Sequence, residues 1–270
     1  MQDRIRNYKT GPEQQLLRTH SLLNAIEVAA SNLAHSHDEL SGHVYVAEQP
    51  PKLSLSEKYV LQLDLIRGNI IENCRVRKYV QTKTIQLLEA EQITAQSLKH
   101  EYRCYISECV IFYERISHLL VYLSESLGDA AHDWESLIHD LLSFFNPQVI
   151  HLRNTTAHQY YYAQPSHMKL SGLEREIDDA NYSGTQVSNK VSEYRAMYEE
   201  AITVHHDWIV ETEHSFVAYL EELLDKLSPV MLTNAGDLHI PNSLPNDLKI
   251  EKKLNNRIRQ KLNHREIFEG

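Results

Sequence analysis

AQSLKHEYRCYISECVIFYERISHLLVYLSESLG, residues 95–128, is the stretch that decides the fold. It holds no proline, and its one glycine is the last residue. Its centre, Cys109-Val110-Ile111-Phe112-Tyr113-Glu114-Arg115-Ile116, is apolar enough to belong to a core. The spacing predicts a helix over 95–127 that Gly128 ends, since glycine just past the last periodic residue is a stop signal.

The same reading extends in both directions. Leu16, Leu17, Leu23, Ile26, Ala29, Ala30 and Leu33 recur at helical spacing and predict a helix over 13–35. Residues 36–55, with Pro50-Pro51, read as a loop. Ser56 is the expected N-cap of a helix to about residue 91, with Val60, Leu63, Ile66, Ile70 and Ile71 three and four apart. A short helix is expected over 131–144. Asn146-Pro147 then starts another over 147–163, because proline suits the first helical turn. Pro165 and Gly172 bound a segment read as irregular or weakly helical, and a long helix follows over 185–227, stopped at Ser228-Pro229. Residues 229–245 read as loop and 246–270 as a charged stretch, a short helix with frayed ends. The expected fold is all-α, an up-and-down helical bundle with long antiparallel members.

Composition agrees with this class. Eight Gly and eight Pro in 270 residues are few for a sheet protein, which needs many turns. The hydrophobic fraction of 42% and charged fraction of 24% are those of a globular chain with a real core. A net charge of −10 argues against a protein that coats nucleic acid, because such binding neutralises phosphates, but leaves room for one local basic pocket. Cys74, Cys104 and Cys109 form no CxxC pair, which points to a reducing, cytoplasmic setting and to buried thiols rather than disulfides. The N-terminus MQDRIRNYKTGPEQQ lacks the apolar centre of a signal peptide, and no run is long enough for a membrane span.

The segment with chemistry in it is Arg153-Asn154-Thr155-Thr156-Ala157-His158-Gln159-Tyr160. Spacing alone proves nothing, since Arg259 and His264 in the polar C-terminal stretch share it. The first match is set apart by the polar Asn154 after the arginine, by Tyr160 two residues past the histidine, and by long amphipathic helices on both sides. Metal-free RNA cleavage uses the 2′-hydroxyl as nucleophile. It needs a base for that proton and an acid for the leaving oxygen, and histidine serves either role. The crowded phosphate needs positive charge in a planar, multi-donor form, which arginine supplies. At 100° per residue, Asn154 and His158 lie about 40° apart on one helix face, with Arg153 about 100° to the other side. One helix thus presents half a site, and two copies would set two Arg and two His around one phosphate.

In these residues the chain resembles the HEPN superfamily, helical bundles found in bacterial toxins and antiviral systems. Its signature is an Arg, usually followed by a polar residue, with a His four to six positions on. The helix around 112–123 and the later one ending in Phe216-Val217-Ala218-Tyr219-Leu220 also look like that family's flanking helices. The resemblance covers roughly residues 94–228. It implies a HEPN-like core there; residues 1–93, expected as an N-terminal helical extension packed on that core, and 229–270, expected as a loop and polar C-terminal tail, exceed the minimal family domain. It further implies an endoribonuclease of toxin–antitoxin or phage-defence type, with Arg153, Asn154 and His158 as the site, RNA as substrate, a homodimer, and no metal or organic cofactor. In the group with Arg-x4-His-x-Tyr, the tyrosine is where a partner nucleotidyltransferase attaches AMP and silences the toxin, and Tyr160 is the match here. Added bulk and negative charge beside a phosphate pocket would exclude RNA.

Two other readings stand beside this one. The chain could be a HEPN-like helical module that binds proteins and has lost catalysis. The pairs His132-Asp133 and His139-Asp140, with His205-His206-Asp207, could instead hold divalent metal as in HD-type phosphohydrolases. The histidines His35, His37 and His43 read as part of a solvated loop.

Overall fold

In a computed structural model of the chain, the residues described are 16, 19–41, 53–87, 94–128, 131–145, 165–178 and 184–245. Among them the chain forms six helices: α1 (Ser21–Ser41), α2 (Leu55–Gln86), α3 (Ala95–Leu127), α4 (Trp134–Phe145), α5 (Pro165–Asp178) and α6 (Gly184–Met231). The described residues contain no strand beyond an isolated bridge between Leu232 and Leu238. The fold is all-α, as expected, and no described helix is long and apolar enough to cross a membrane.

Helix ends follow local chemistry. α3 has the expected bounds: Thr94 Oγ1 accepts from the Ser97 amide at 3.2 Å at its start, and Gly128 closes its end with φ 84°, a conformation natural to glycine. α2 is capped by Ser54, not Ser56. The Ser54 hydroxyl accepts from the Glu57 amide at 3.3 Å, and the Glu57 carboxylate accepts from the Ser54 amide at 2.6 Å, a reciprocal capping box. Asp133 caps α4, accepting from the Ser136 amide at 3.1 Å.

Three expectations are corrected. α1 continues to Ser41, into the stretch read as loop from residue 36. The segment after Pro165 is not irregular: it forms α5, with proline at its first position. Leu170 and Leu173 are buried there against Leu98, Tyr194, Tyr198 and Ile202, with Ile177 packed beside them. Burial at that helical spacing outweighs the roughly 1 kcal/mol that a mid-helix glycine costs. Pro229 does not stop α6, which runs on to Met231. Leu227 and Met231 are buried on either side of it, and the Leu232 amide still donates to the Ser228 carbonyl at 2.9 Å. A Cβ on Gly172 would meet nothing within 4 Å. Gly172→Ala is therefore expected to raise stability by about 0.5–1 kcal/mol, read as a higher urea midpoint.

The chain divides into two compact units. The first combines 1–71, 113–142 and 217–270. Its core brings Leu22, Leu23 and Ile26 of α1 together with Leu63, Ile66 and Ile70 of α2, Leu119 of α3, and Leu220, Leu224 and Met231 of α6, around a small apolar pocket. Arg67 pairs with Glu27 and Asp64, each at 2.9 Å, at its rim. The second unit combines 72–112 and 143–216. It holds the α5 cluster just described and a group of phenylalanines, Phe112, Phe145 and Phe216, whose ring centroids lie 4.9–6.0 Å apart.

Candidate functional site

Arg153, Asn154, His158 and Tyr160 lie outside the described residues, as does the helix expected over 147–163. The segment that carries them joins α4 to α5 in the sequence. Phe145, the last residue of α4, is fully buried against Phe112 and Phe216.

Within the second unit the described residues hold a concentration of polar chemistry that the sequence reading missed. Along α2, Asn73, Arg77, Gln81 and Thr84 are all buried, where the helical period would place apolar side chains. Arg77 is 1% exposed. Its Nε donates to Glu213 Oε1 at 2.7 Å and its Nη2 to Oε2 at 3.3 Å, so α6 answers the charge bidentately. Its Nη1 donates to Asn73 Oδ1 in a short contact, and Nη2 lies 3.6 Å from Cys74 Sγ. Tyr105 donates to Glu213 Oε1 at 2.7 Å. Asn73 in turn donates to Glu108 Oε2 at 2.8 Å and to the Glu108 carbonyl at 3.0 Å. The guanidinium carbon sits 4.4 Å from the Phe112 centroid and 5.1 Å from that of Phe216, against both rings of that stacked pair.

The electrostatics of this group are those of a closed network. Burial alone would weaken the Arg77 proton, but the Glu213 charge and hydrogen bond hold it more tightly than usual. Burial pushes the Tyr105 hydroxyl well up, and the neighbouring Cys109 and Glu213 push in the same direction. Burial likewise raises the Cys109 thiol. A proton donor or acceptor that cannot meet substrate does no acid–base work, so the network is structural: it ties α2, α3 and α6 together inside the unit. Its sequence signal was the run Asn73, Arg77, Gln81, which interrupts an apolar stripe at intervals of four.

The cysteines fit the reading of buried small side chains at Cys74 and Cys109, while Cys104 is half-buried, 3.5 Å from His100 Nε2. A thiol reagent is expected to titrate Cys104 alone in the native chain, and all three after denaturation.

The His-Asp pairs have local tasks. His132 stacks edge-on against Trp134 at 5.6 Å, and Asp133 caps α4. Asp140 pairs with Lys226 at 3.5 Å. His205 is buried, 4.9 Å from the Tyr102 ring and stacked on Trp208 at 5.9 Å. His206 meets its neighbour Asp207 at 3.7 Å. No three His, Cys, Asp or Glu among the described residues are grouped so as to hold a metal ion. Comparison of the chain with protein-family models, with curated proteins and with solved structures finds no match to any of them.

Proposed function

We propose that the chain is a metal-independent endoribonuclease of HEPN type that acts as a homodimer in a toxin–antitoxin or phage-defence setting. The observation that carries this reading is the segment Arg153-Asn154-Thr155-Thr156-Ala157-His158-Gln159-Tyr160, joining two helices of an all-helical chain. His158 takes the proton of the 2′-hydroxyl or returns one to the departing 5′-oxygen. Arg153 holds the phosphate as negative charge builds on it, and Asn154 positions the RNA or the pocket. With one His from each of two copies, one acts as base and the other as acid. Tyr160 is the residue that a nucleotidyltransferase partner would modify with AMP.

The test is purified full-length chain on total RNA in excess EDTA, beside Arg153→Ala and His158→Ala. Cleavage that resists EDTA and is lost in both variants supports the reading. Cleavage that survives both substitutions, or that EDTA abolishes, removes it; the second result would return the His-Asp pairs to attention. A catalytically silent helical interaction module is the second reading, favoured by the exposed leucines of α2, Leu61 and Leu65.

A further inference from the structure

The core explains one apolar stripe of α2, but not two exposed leucines on its other side. Leu63, Ile66 and Ile70 are buried in the first unit. On the opposite side, Lys58, Leu61, Leu65, Gly68 and Glu72 recur at alternating intervals of three and four, and every one is exposed. Leu61 is 42% and Leu65 58% exposed, one turn apart on a single uninterrupted helix. That alternation is the narrow seam of a two-helix coiled coil rather than the broad stripe of a core-facing helix. At Gly68 an added Cβ would meet nothing within 4 Å, so the backbone there is open to close approach.

We propose that a second copy of this chain covers this face, with its α2 antiparallel to the first across a two-fold axis at residue 63. Charge selects the occupant and its direction. In this register Leu61 lies opposite Leu65 of the second copy and Leu65 opposite its Leu61, two apolar layers at the centre. Lys58 lies opposite Gly68 of the second copy, which has no side chain to block it. Helical side chains lean toward the N-terminus, so Lys58 reaches past that glycine toward the position opposite Ser54. That position is Glu72 of the second copy. Among the described residues Glu72 meets the exposed Arg75 at 3.6 Å, a loose contact that the lysine can join. Both ends of the seam are satisfied by the same pair, as a two-fold axis requires. A parallel arrangement would set Lys58 against Lys58 and Glu72 against Glu72, which disfavours it. The inference stands apart from the RNA-cleaving reading, since none of its residues belongs to the Arg153–His158 segment.

Sedimentation velocity of the full-length chain at about 10–100 μM tests it, with circular dichroism melts to check that each variant folds. The wild type is expected to sediment at twice the mass of the folded Leu61→Glu/Leu65→Glu variant, whatever assembly the Arg153–His158 segment adds. Lys58→Glu is expected to weaken association about tenfold, and Lys58→Glu/Glu72→Lys to restore it. The charge pair keeps the test decisive if the double glutamate variant folds poorly. A monomeric wild type overturns the inference together with the homodimer of the proposed function, and leaves the face to a different protein. A mass unchanged by Leu61→Glu/Leu65→Glu also overturns it, and leaves the motif reading untouched because that assembly is held elsewhere. Failure of Glu72→Lys to rescue Lys58→Glu overturns the register.

Discussion

Arg77→Ala is expected to lower the stability of the chain by about 3–5 kcal/mol, a large part of what a folded domain has. The substitution does three things at once. It leaves the Glu213 carboxylate buried with, among the described residues, Tyr105 still donating to it. It strips Asn73 of its short contact and empties the space against the stacked Phe112 and Phe216 rings. The first effect dominates, because a lone buried charge costs more than a lost contact. The order of a small series follows from this. Arg77→Lys keeps the charge but loses the bidentate fit and the stacking, and falls between wild type and Arg77→Ala. Arg77→Met/Glu213→Met removes the orphaned charge and should be more stable than Arg77→Met alone. Urea denaturation followed by far-UV circular dichroism measures the series. A loss of less than about 1 kcal/mol in Arg77→Ala would contradict the picture of a dry, fully engaged ion pair.

His158→Ala is expected to cut RNA cleavage by about a hundredfold or more, within the range that a positioned general acid or base contributes. Arg153→Ala should fall as far, because it removes charge that is most needed in the transition state, and Arg153→Lys should rescue it only in part. Neither variant should change the urea midpoint in the manner of Arg77→Ala, which separates the two arginines by experiment. The half-site geometry adds a sharper expectation. If each cleft needs a His from both copies, activity in mixtures of wild type with His158→Ala falls with the square of the wild-type fraction, since a mixed dimer holds one His where two are needed. Activity that falls only in proportion to the wild-type fraction, in mixtures shown to exchange subunits, would count against a shared cleft.

The helices were legible where pattern and punctuation agreed. α3 could be placed to the residue because an unbroken apolar period ended at a glycine that adopts φ 84°. α6 was legible in its body but not at its end, because a proline in the last turn is tolerated when Leu227 and Met231 hold that turn in the core. α5 was misread because Gly172 weakens the local signal, while the burial of Leu170 and Leu173 that stabilises it is a tertiary fact. The buried network was legible only in part. Asn73, Arg77 and Gln81 sit at one spacing, yet nothing in the sequence says that Glu213, far along the chain, will meet them. Charged residues on a helix are read by default as its solvated side, and the outer and inner faces of α2 are both mixed in character. The Arg153–His158 segment stands as a reading of residue types and spacing, and its tests are accordingly chemical.

The chemistry of the cut ends tests that reading most directly. In excess EDTA, attack by the 2′-hydroxyl breaks the bond from phosphorus to the 5′-oxygen and leaves a 2′,3′-cyclic phosphate on one fragment and a free 5′-hydroxyl on the other. End analysis of RNA treated with the purified full-length chain is expected to show those two ends, and none with His158→Ala. Fragments bearing 5′-phosphates, formed only when divalent metal is present and unchanged in His158→Ala, would contradict it.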